Sequence, residues 1–311
     1  MDQPVTDRPL TAIVINRHSG TVRSMGEEKV RALVTAAVPG GEDSIALLDG
    51  TEIETHIGDL VRERRISRLY VGGGDGTVAS AAGFVSGTGI ALGILPLGTM
   101  NMMAQTLGIS LDLATALEQL RDAEELDVDA GRAAGRLFLH HVAFGLQPRM
   151  VRIRERLGYS SRLTKMLAGV RAVAAVMLNR QSMRLTLRID GSETEMKTPA
   201  LAVSNNLYAD TMMLKQARLD EGILGIYALR PMPLVAFLGL AIDLLRGRWR
   251  DNLNLREMRA PRLRIVRRRL FGGHSRSIRA TLDGELMLFD LPLTIESAPK
   301  AVRMLVPRAP G

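Results

Sequence analysis

The short strand-like run Arg68–Val71 passes at once into Gly72-Gly73-Gly74-Asp75-Gly76-Thr77, and Thr77–Val85 then reads as a helix. A strand that ends on glycines and feeds a helix restricts the fold sharply. The backbone there can take positive φ and approach a ligand closely. The N–H groups of such a turn and of the helix start form a site for anions such as phosphate. No Lys follows the last glycine, so the loop is not the common P-loop, and its spacing is not GxGxxG. Without further context, a tight turn with Thr77 as N-cap explains the same residues.

A second loop has the same plan. Leu95-Pro96-Leu97-Gly98-Thr99-Met100-Asn101 follows the apolar run Ile90–Leu95 and opens a helical stretch, Thr99–Leu107. Pro96 fixes one φ angle, Gly98 permits close approach, and Thr99 and Asn101 offer hydrogen bonds. Around these loops, strand-like runs (Thr11–Asn16, Ser44–Leu48) alternate with helical stretches (Arg23–Val38, Glu52–Arg65, Leu113–Glu124). Pro39-Gly40-Gly41 stops the first of these helices. Such alternation predicts a mostly parallel sheet with helical crossovers, and ligands bind at the carboxyl ends of its strands.

The pattern changes near residue 127, and so does the charge. The 311 residues carry 41 Lys or Arg and 33 Asp or Glu, a formal net charge of +8. Residues 1–126 are net −7 and residues 127–311 net +15. We therefore read two domains, 1–126 and 127–291, with 292–311 packing back on the first. The basic second half suits an anionic partner. Aromatics are 4% and Cys is absent, which argues against nucleic-acid stacking platforms, zinc fingers, disulfides and thiol catalysis. The first residues, MDQPVTDRPL, lack the pattern of a secretory signal. The apolar stretch Pro231–Leu245 is broken by Asp243 and is too short to span a bilayer. The expectation is a cytoplasmic protein, soluble or peripheral at the inner membrane face. Pro233–Arg250, apolar with a basic end, suits a packing helix or a membrane interface.

GGDGT at Gly73–Thr77, LPLGTMN at Leu95–Asn101 and DGE at Asp283–Glu285 resemble, in that order, the diacylglycerol kinase catalytic family. Asn16-Arg17-His18-Ser19-Gly20 looks like its first turn, with Arg17 in place of the usual Pro. Phe138–Gly145, Val203-Ser204-Asn205, Leu219-Asp220-Glu221-Gly222 and the closing PLTIESAPKAVRMLVP continue the likeness. The resemblance implies an α/β N-terminal domain of three layers with a mostly parallel sheet. It implies a β-rich, sandwich-like C-terminal domain, with ATP in the cleft between them. It implies an ATP- and Mg²⁺-dependent lipid kinase acting on a membrane lipid at an anionic surface. Gly73, Gly74, Asp75, Gly76 and Thr77 would hold the phosphates, with contacts from Asn16, Thr99 and Asn101. Asp283 would be the general base, and Glu285, expected on the same strand face, would help position it or a metal. Glu221, with the backbone carbonyls of Arg218 and Ile223, would hold a second metal. Val78-Ala79-Ser80-Ala81 lacks the polar residue the family often has there. Adjacent His140 and His141 would point to opposite faces of a strand. Met212-Met213-Leu214 would be a candidate acyl-chain lining. GGDGT is shared with NAD kinases, so NAD phosphorylation and non-catalytic nucleotide binding are the alternatives.

Overall fold

The computed structural model describes residues 11–38, 44–63, 66–156, 182–211, 215–270 and 273–308. The chain forms two compact units, one running to Val128 and taking in the residues from Lys300, the other Asp129–Pro299.

In the first unit, β1 (Thr11–Asn16) is followed by α1 (Gly20–Met25), α2 (Glu27–Ala37), β2 (Ile45–Leu48), α3 (Gly50–Arg62) and β3 (Arg68–Gly73). Then come α4 (Asp75–Val85), β4 (Ala91–Pro96), α5 (Met102–Thr106) and α6 (Leu113–Arg121). The sheet order is β2-β1-β3-β4, all parallel, and Arg303 and Met304 of the last strand add in parallel beside β4. Every residue of β4 is buried, as is the interior of β1. This is why both read as continuous apolar runs: helices cover both faces of a parallel sheet. α3 packs on α4 and α2 on α6, giving the two helical layers. Asp49 and Glu52 close a capping box on α3, with the Asp49 N–H donating to Glu52 Oε2 at 2.9 Å.

Three element boundaries differ from the sequence pattern. The single helix expected over Arg23–Val38 is two, because Gly26 takes φ +91° and ends α1 while capping α2. Its stop at Pro39-Gly40-Gly41 lies outside the described residues. α4 starts at Asp75, so Thr77 sits in its first turn and the N-cap position belongs to Gly74. α5 begins only at Met102, because Asn101 stands in the left-handed region at φ +49°.

β5 (Glu124–Ala133) leads into the second unit. There follow β6 (Arg136–Phe138), β7 (His141–Gly145), α7 (Leu146–Arg156), β8 (Met183–Ile189), β9 (Ser192–Thr198), β10 (Ala200–Asn205) and β11 (Leu224–Leu229). After them come α8 (Leu234–Leu245), β12 (Leu255–Ala260), β13 (Arg262–Leu270), β14 (Gly273–Ser275), β15 (Ser277–Leu282), β16 (Glu285–Asp290) and β17 (Leu293–Val306). One sheet, β12-β11-β10-β7-β15-β16, is antiparallel throughout. Within this unit β17, β13, β8 and β9 pair antiparallel in the other sheet. Val142, Phe144, Leu201 and Ile226 from the first sheet share one core with Leu185, Leu187, Leu263 and Ile295 from the second. A core between two sheets is a sandwich, and each such buried side chain contributes about 1.5–3 kcal/mol. The single strand expected over Phe138–Gly145 is broken at Leu139 and His140, and that break shapes the site described next.

Candidate active site

Asn16, Gly73 and Pro96 are the last residues of β1, β3 and β4, so three loops leave the same carboxyl edge of the parallel sheet. None of Gly72, Gly73, Gly74, Gly76 or Gly98 takes positive φ, contrary to the conformational reason expected for the glycine run. Space is the reason instead. A Cβ on Gly98 would collide with the Gly74 backbone and stand 2.7 Å from Asn101 Oδ1. A Cβ on Gly73 would stand 2.7 Å from the Thr77 side chain. The two glycine loops therefore lie backbone against backbone. The first-turn amides of α4 have no carbonyl four residues earlier within the helix, and the positive end of the helix dipole adds to them. This is a cradle that can hold phosphate.

The side chains around the cradle divide into two sets. Asn16 Nδ2 donates to Thr77 Oγ1 at 3.4 Å, and its Oδ1 accepts the His18 N–H at 2.9 Å. Asp75 Oδ1 accepts the Met102 N–H at 2.6 Å, tying α4 to α5. Thr99 is exposed. Asn101 instead is buried and turned on its own loop, accepting the Gly98 N–H at 2.9 Å and donating to the Gly98 carbonyl at 2.9 Å. Arg17, in the usual Pro position, donates to the Leu47 carbonyl at 2.7 Å. Ser80 donates to Glu54 at 2.9 Å, so this departure from the family pattern links α4 to α3. Ser19 was not among the site residues read from sequence. It is 8% exposed, and its hydroxyl has no partner among the described residues.

In the second unit, Asp283 and Gly284 form the two-residue turn between β15 and β16, with φ +45° and +93° and Leu282 paired to Glu285. Two positive φ values define a type I′ hairpin, for which Asp-Gly is a preferred pair. Here the expectation for Glu285 needs correction. The alternation of side chains holds along a strand and stops at a turn, so Glu285 begins the return strand, exposed, and does not share a strand face with Asp283. The Asp283 carboxylate points at the break between β6 and β7. Oδ2 accepts the Leu139 N–H at 2.7 Å, and Oδ1 accepts the N–H groups of His140 and His141 at 2.9 and 3.0 Å. The Asp283 N–H returns a bond to the His141 carbonyl at 3.0 Å.

That break is itself pinned. Gln216 Nε2 donates to the Leu139 carbonyl and to the Asn205 carbonyl, both at 2.7 Å, and the Asn205 N–H donates to the His140 carbonyl at 2.9 Å. His140 precedes β7, so the two histidines are not alternating strand residues. Burial holds the His141 imidazole below the usual histidine range, and the nearby Asp283 carboxylate only partly opposes this. The linkage has a definite sign. Below about pH 6.5 the unfolded chain binds a proton at His141 that the folded chain resists, so stability falls as pH falls through that range. His141→Gln is expected to flatten the acid side of the melting-temperature profile below about pH 6.5. Parallel profiles for variant and wild type would contradict this.

Arg218, Glu221 and Ile223 lie on the segment between Gln216 and β11, and its bonds run to other parts of the unit. Glu221 Oε2 accepts the Leu207 N–H at 3.1 Å, the Ile223 carbonyl accepts the Asn206 N–H at 3.0 Å, and the Gly222 N–H donates to Asp129 Oδ2 at 2.6 Å. Direct protein bonds thus hold this segment. Among the described residues, no group of three or more His, Cys, Asp or Glu is arranged to hold a metal. Asp129, 1% exposed, was also missed from sequence. Its only local signal is an acid between apolar residues of a strand. Met212-Met213-Leu214 lies outside the described residues.

Comparison with known proteins fits this arrangement. Residues 11–133 match the diacylglycerol kinase catalytic domain, and residues 141–306 match the YegS C-terminal NAD kinase beta sandwich-like domain. A Pseudomonas putida protein named "Probable lipid kinase YegS-like" is 30% identical over 297 residues, covering 91% of this chain and 93% of that one. A Pseudomonas aeruginosa protein of the same name is 30% identical over 70% of this chain and 73% of that one. The crystal structure of a diacylglycerol kinase from Bacillus anthracis str. Sterne shares the fold, with TM-score 0.70, 18% identity and coverage of 97% and 98%. On these matches, over both units and in the order its motifs run, the chain belongs to the YegS-like lipid kinases of the diacylglycerol kinase family.

Proposed function

We propose that this kinase transfers the γ-phosphate of ATP to a hydroxyl of a membrane lipid of diacylglycerol, sphingoid or phosphatidylglycerol type. The reading rests foremost on the glycine-on-glycine cradle at the start of α4, which suits a polyanion and has no use for a side chain. The first unit binds nucleotide through Gly73, Gly74, Gly76 and Thr77, with Asn16, Thr99 and the unpartnered Ser19 hydroxyl as further contacts. Asn101 shapes the loop. The second unit takes the lipid. A carboxylate offers about four lone-pair sites, and backbone N–H groups occupy three on Asp283. The site left on Oδ2 accepts the lipid hydroxyl proton as the lipid oxygen bonds to phosphorus and the bond to ADP breaks. The proton then passes to solvent.

Mg²⁺ would sit beside Asp75, whose second oxygen accepts no hydrogen bond from a described residue, and would neutralise phosphate charge there. Glu221 has a structural role in this reading, holding the Leu207 N–H. Since ATP is the donor, the enzyme works from the cytoplasmic face of the membrane, as a peripheral protein. Among the described residues, no helix is long and apolar enough to cross.

The test is label transfer from Mg-ATP to diacylglycerol, sphingosine, ceramide and phosphatidylglycerol in mixed micelles. Transfer to one lipid class supports the proposal and names the acceptor. ATP binding with no acceptor in the panel or in whole lipid extract contradicts it. Within the site, Gln216→Ala is expected to lower kcat by up to about tenfold, the worth of one positioning hydrogen bond. KM for ATP should be unchanged, because Gln216 holds the Leu139 carbonyl and touches no nucleotide loop. An equal loss in kcat and in ATP affinity would show a general structural defect instead.

A further inference from the structure

α8 leaves an apolar stripe in water. Val235 is 80% exposed, Leu238 54%, Ile242 47% and Leu245 66%. At about 100° per residue these four positions fall within roughly 80° of arc on one side of the helix. The helix is anchored from its other side. Leu244 packs on the aromatic cluster of Tyr208, Tyr227 and Trp249. Asn252 Nδ2 donates to Asp243 Oδ2 at 2.6 Å, and the Arg248 N–H donates to the Asp243 carbonyl at 2.8 Å. Leu253, 85% exposed, stands just beyond. One exposed Leu is ordinary, but a row of them on a fixed helix marks a surface with a partner.

Charge says which partner. Arg230 precedes the helix, and Arg246 and Arg248 follow it; all three are exposed. None has an ion-pair partner among the described residues. Arg250 contrasts with them, being bound to Asp210, Glu257 and the Tyr208 carbonyl. Asp243 is the one acidic side chain of α8, and it is held by Asn252, away from the stripe. An apolar stripe with unpaired cations at both ends and no acid within its own arc complements an anionic bilayer surface. The twelve residues of α8 span about 18 Å, which suits a helix lying in the interface and not one that crosses.

We infer that the outward face of α8 docks the protein on anionic lipid, with Val235, Leu238, Ile242 and Leu245 in the acyl boundary and Arg230, Arg246 and Arg248 on the headgroups. This deepens the lipid-kinase reading, although docking itself needs neither nucleotide nor turnover.

The test is co-sedimentation of the full chain, without ATP, with phosphatidylcholine vesicles that contain or lack phosphatidylglycerol. Wild type is expected to sediment with the anionic vesicles and to be released by salt. Leu238→Glu with Ile242→Glu should cut binding at least about tenfold. Arg246→Ser and Arg248→Ser should each cut it about fivefold on anionic vesicles only. A fold-preserving second readout is Leu238→Trp, whose fluorescence should be quenched by brominated acyl chains. No sedimentation of wild type, no quenching, or unchanged binding by the double Glu variant overturns the inference. So does a concentration-dependent dimer that the double variant abolishes. Transfer to a water-soluble short-chain diacylglycerol separates the two readings. The double Glu variant should keep that activity, whereas a wrong kinase reading removes it from wild type and leaves vesicle binding intact.

Discussion

Gly98→Ala is expected to weaken Mg-ATP binding about 100-fold, the effect of displacing a binding loop by about 1 Å. The added methyl meets the Gly74 backbone and the Asn101 amide oxygen, not a flexible side-chain end that could swing aside. The two loops must separate, and the Gly98–Asn101 bonds that shape the second loop are strained with them. Overpacking of this kind costs about 1–3 kcal/mol in stability as well. Gly83→Ala is the control. It lies exposed in α4, with nothing within 4 Å of an added Cβ. There the substitution should leave ATP binding intact and raise stability by about 0.5–1 kcal/mol. Calorimetric titration and thermal melts read both. Unchanged ATP affinity in Gly98→Ala would remove the two-loop cradle from the account.

Asp283→Asn is expected to lower phosphoryl transfer about 10²–10⁴-fold, the usual contribution of positioned proton transfer. Mg-ATP affinity should stay near wild type, because Asp283 belongs to the second unit and the glycine cradle to the first. Asn keeps the left-handed turn, which it tolerates nearly as well as Asp. It cannot keep the cage, since an amide nitrogen must then face at least one of the backbone N–H groups that the carboxylate now accepts. A loss of about 1–3 kcal/mol in stability should accompany the variant. The melting temperature therefore has to be measured beside turnover. Activity within threefold of wild type in a folded variant would remove Asp283 as the base.

Much of this was legible in the sequence because it is local. β1, β3 and β4 are buried on both faces and read as short apolar runs, and the glycine loops follow them directly. The break at Gly26 was missed, although its signal is local: Glu27 and Glu28 sit where a new helix start favours acids. Asn101 was a different matter. Its side chain replaces the backbone bonds of a helical turn, so periodicity placed the start of α5 too early. For Asp283, turn chemistry was right, since the residue belongs to the hairpin, but the cage of distant N–H groups on its carboxylate had no local signal. Glu285 was misplaced because strand alternation was carried across a turn. Asp129 had only the local signal of an acid between apolar residues, and Gln216 had none. Their partners lie 93 and 77 residues away, and only the sandwich brings them together.

The central claim is that the phosphate goes to a lipid hydroxyl. One sample holding Mg-ATP labelled at the γ-phosphate, diacylglycerol micelles and NAD tests it, with the organic and aqueous phases counted separately. The account predicts label in the organic phase and none on NAD. Label on NAD with an unlabelled organic phase would contradict it and place the chain's activity with the NAD kinases that share GGDGT.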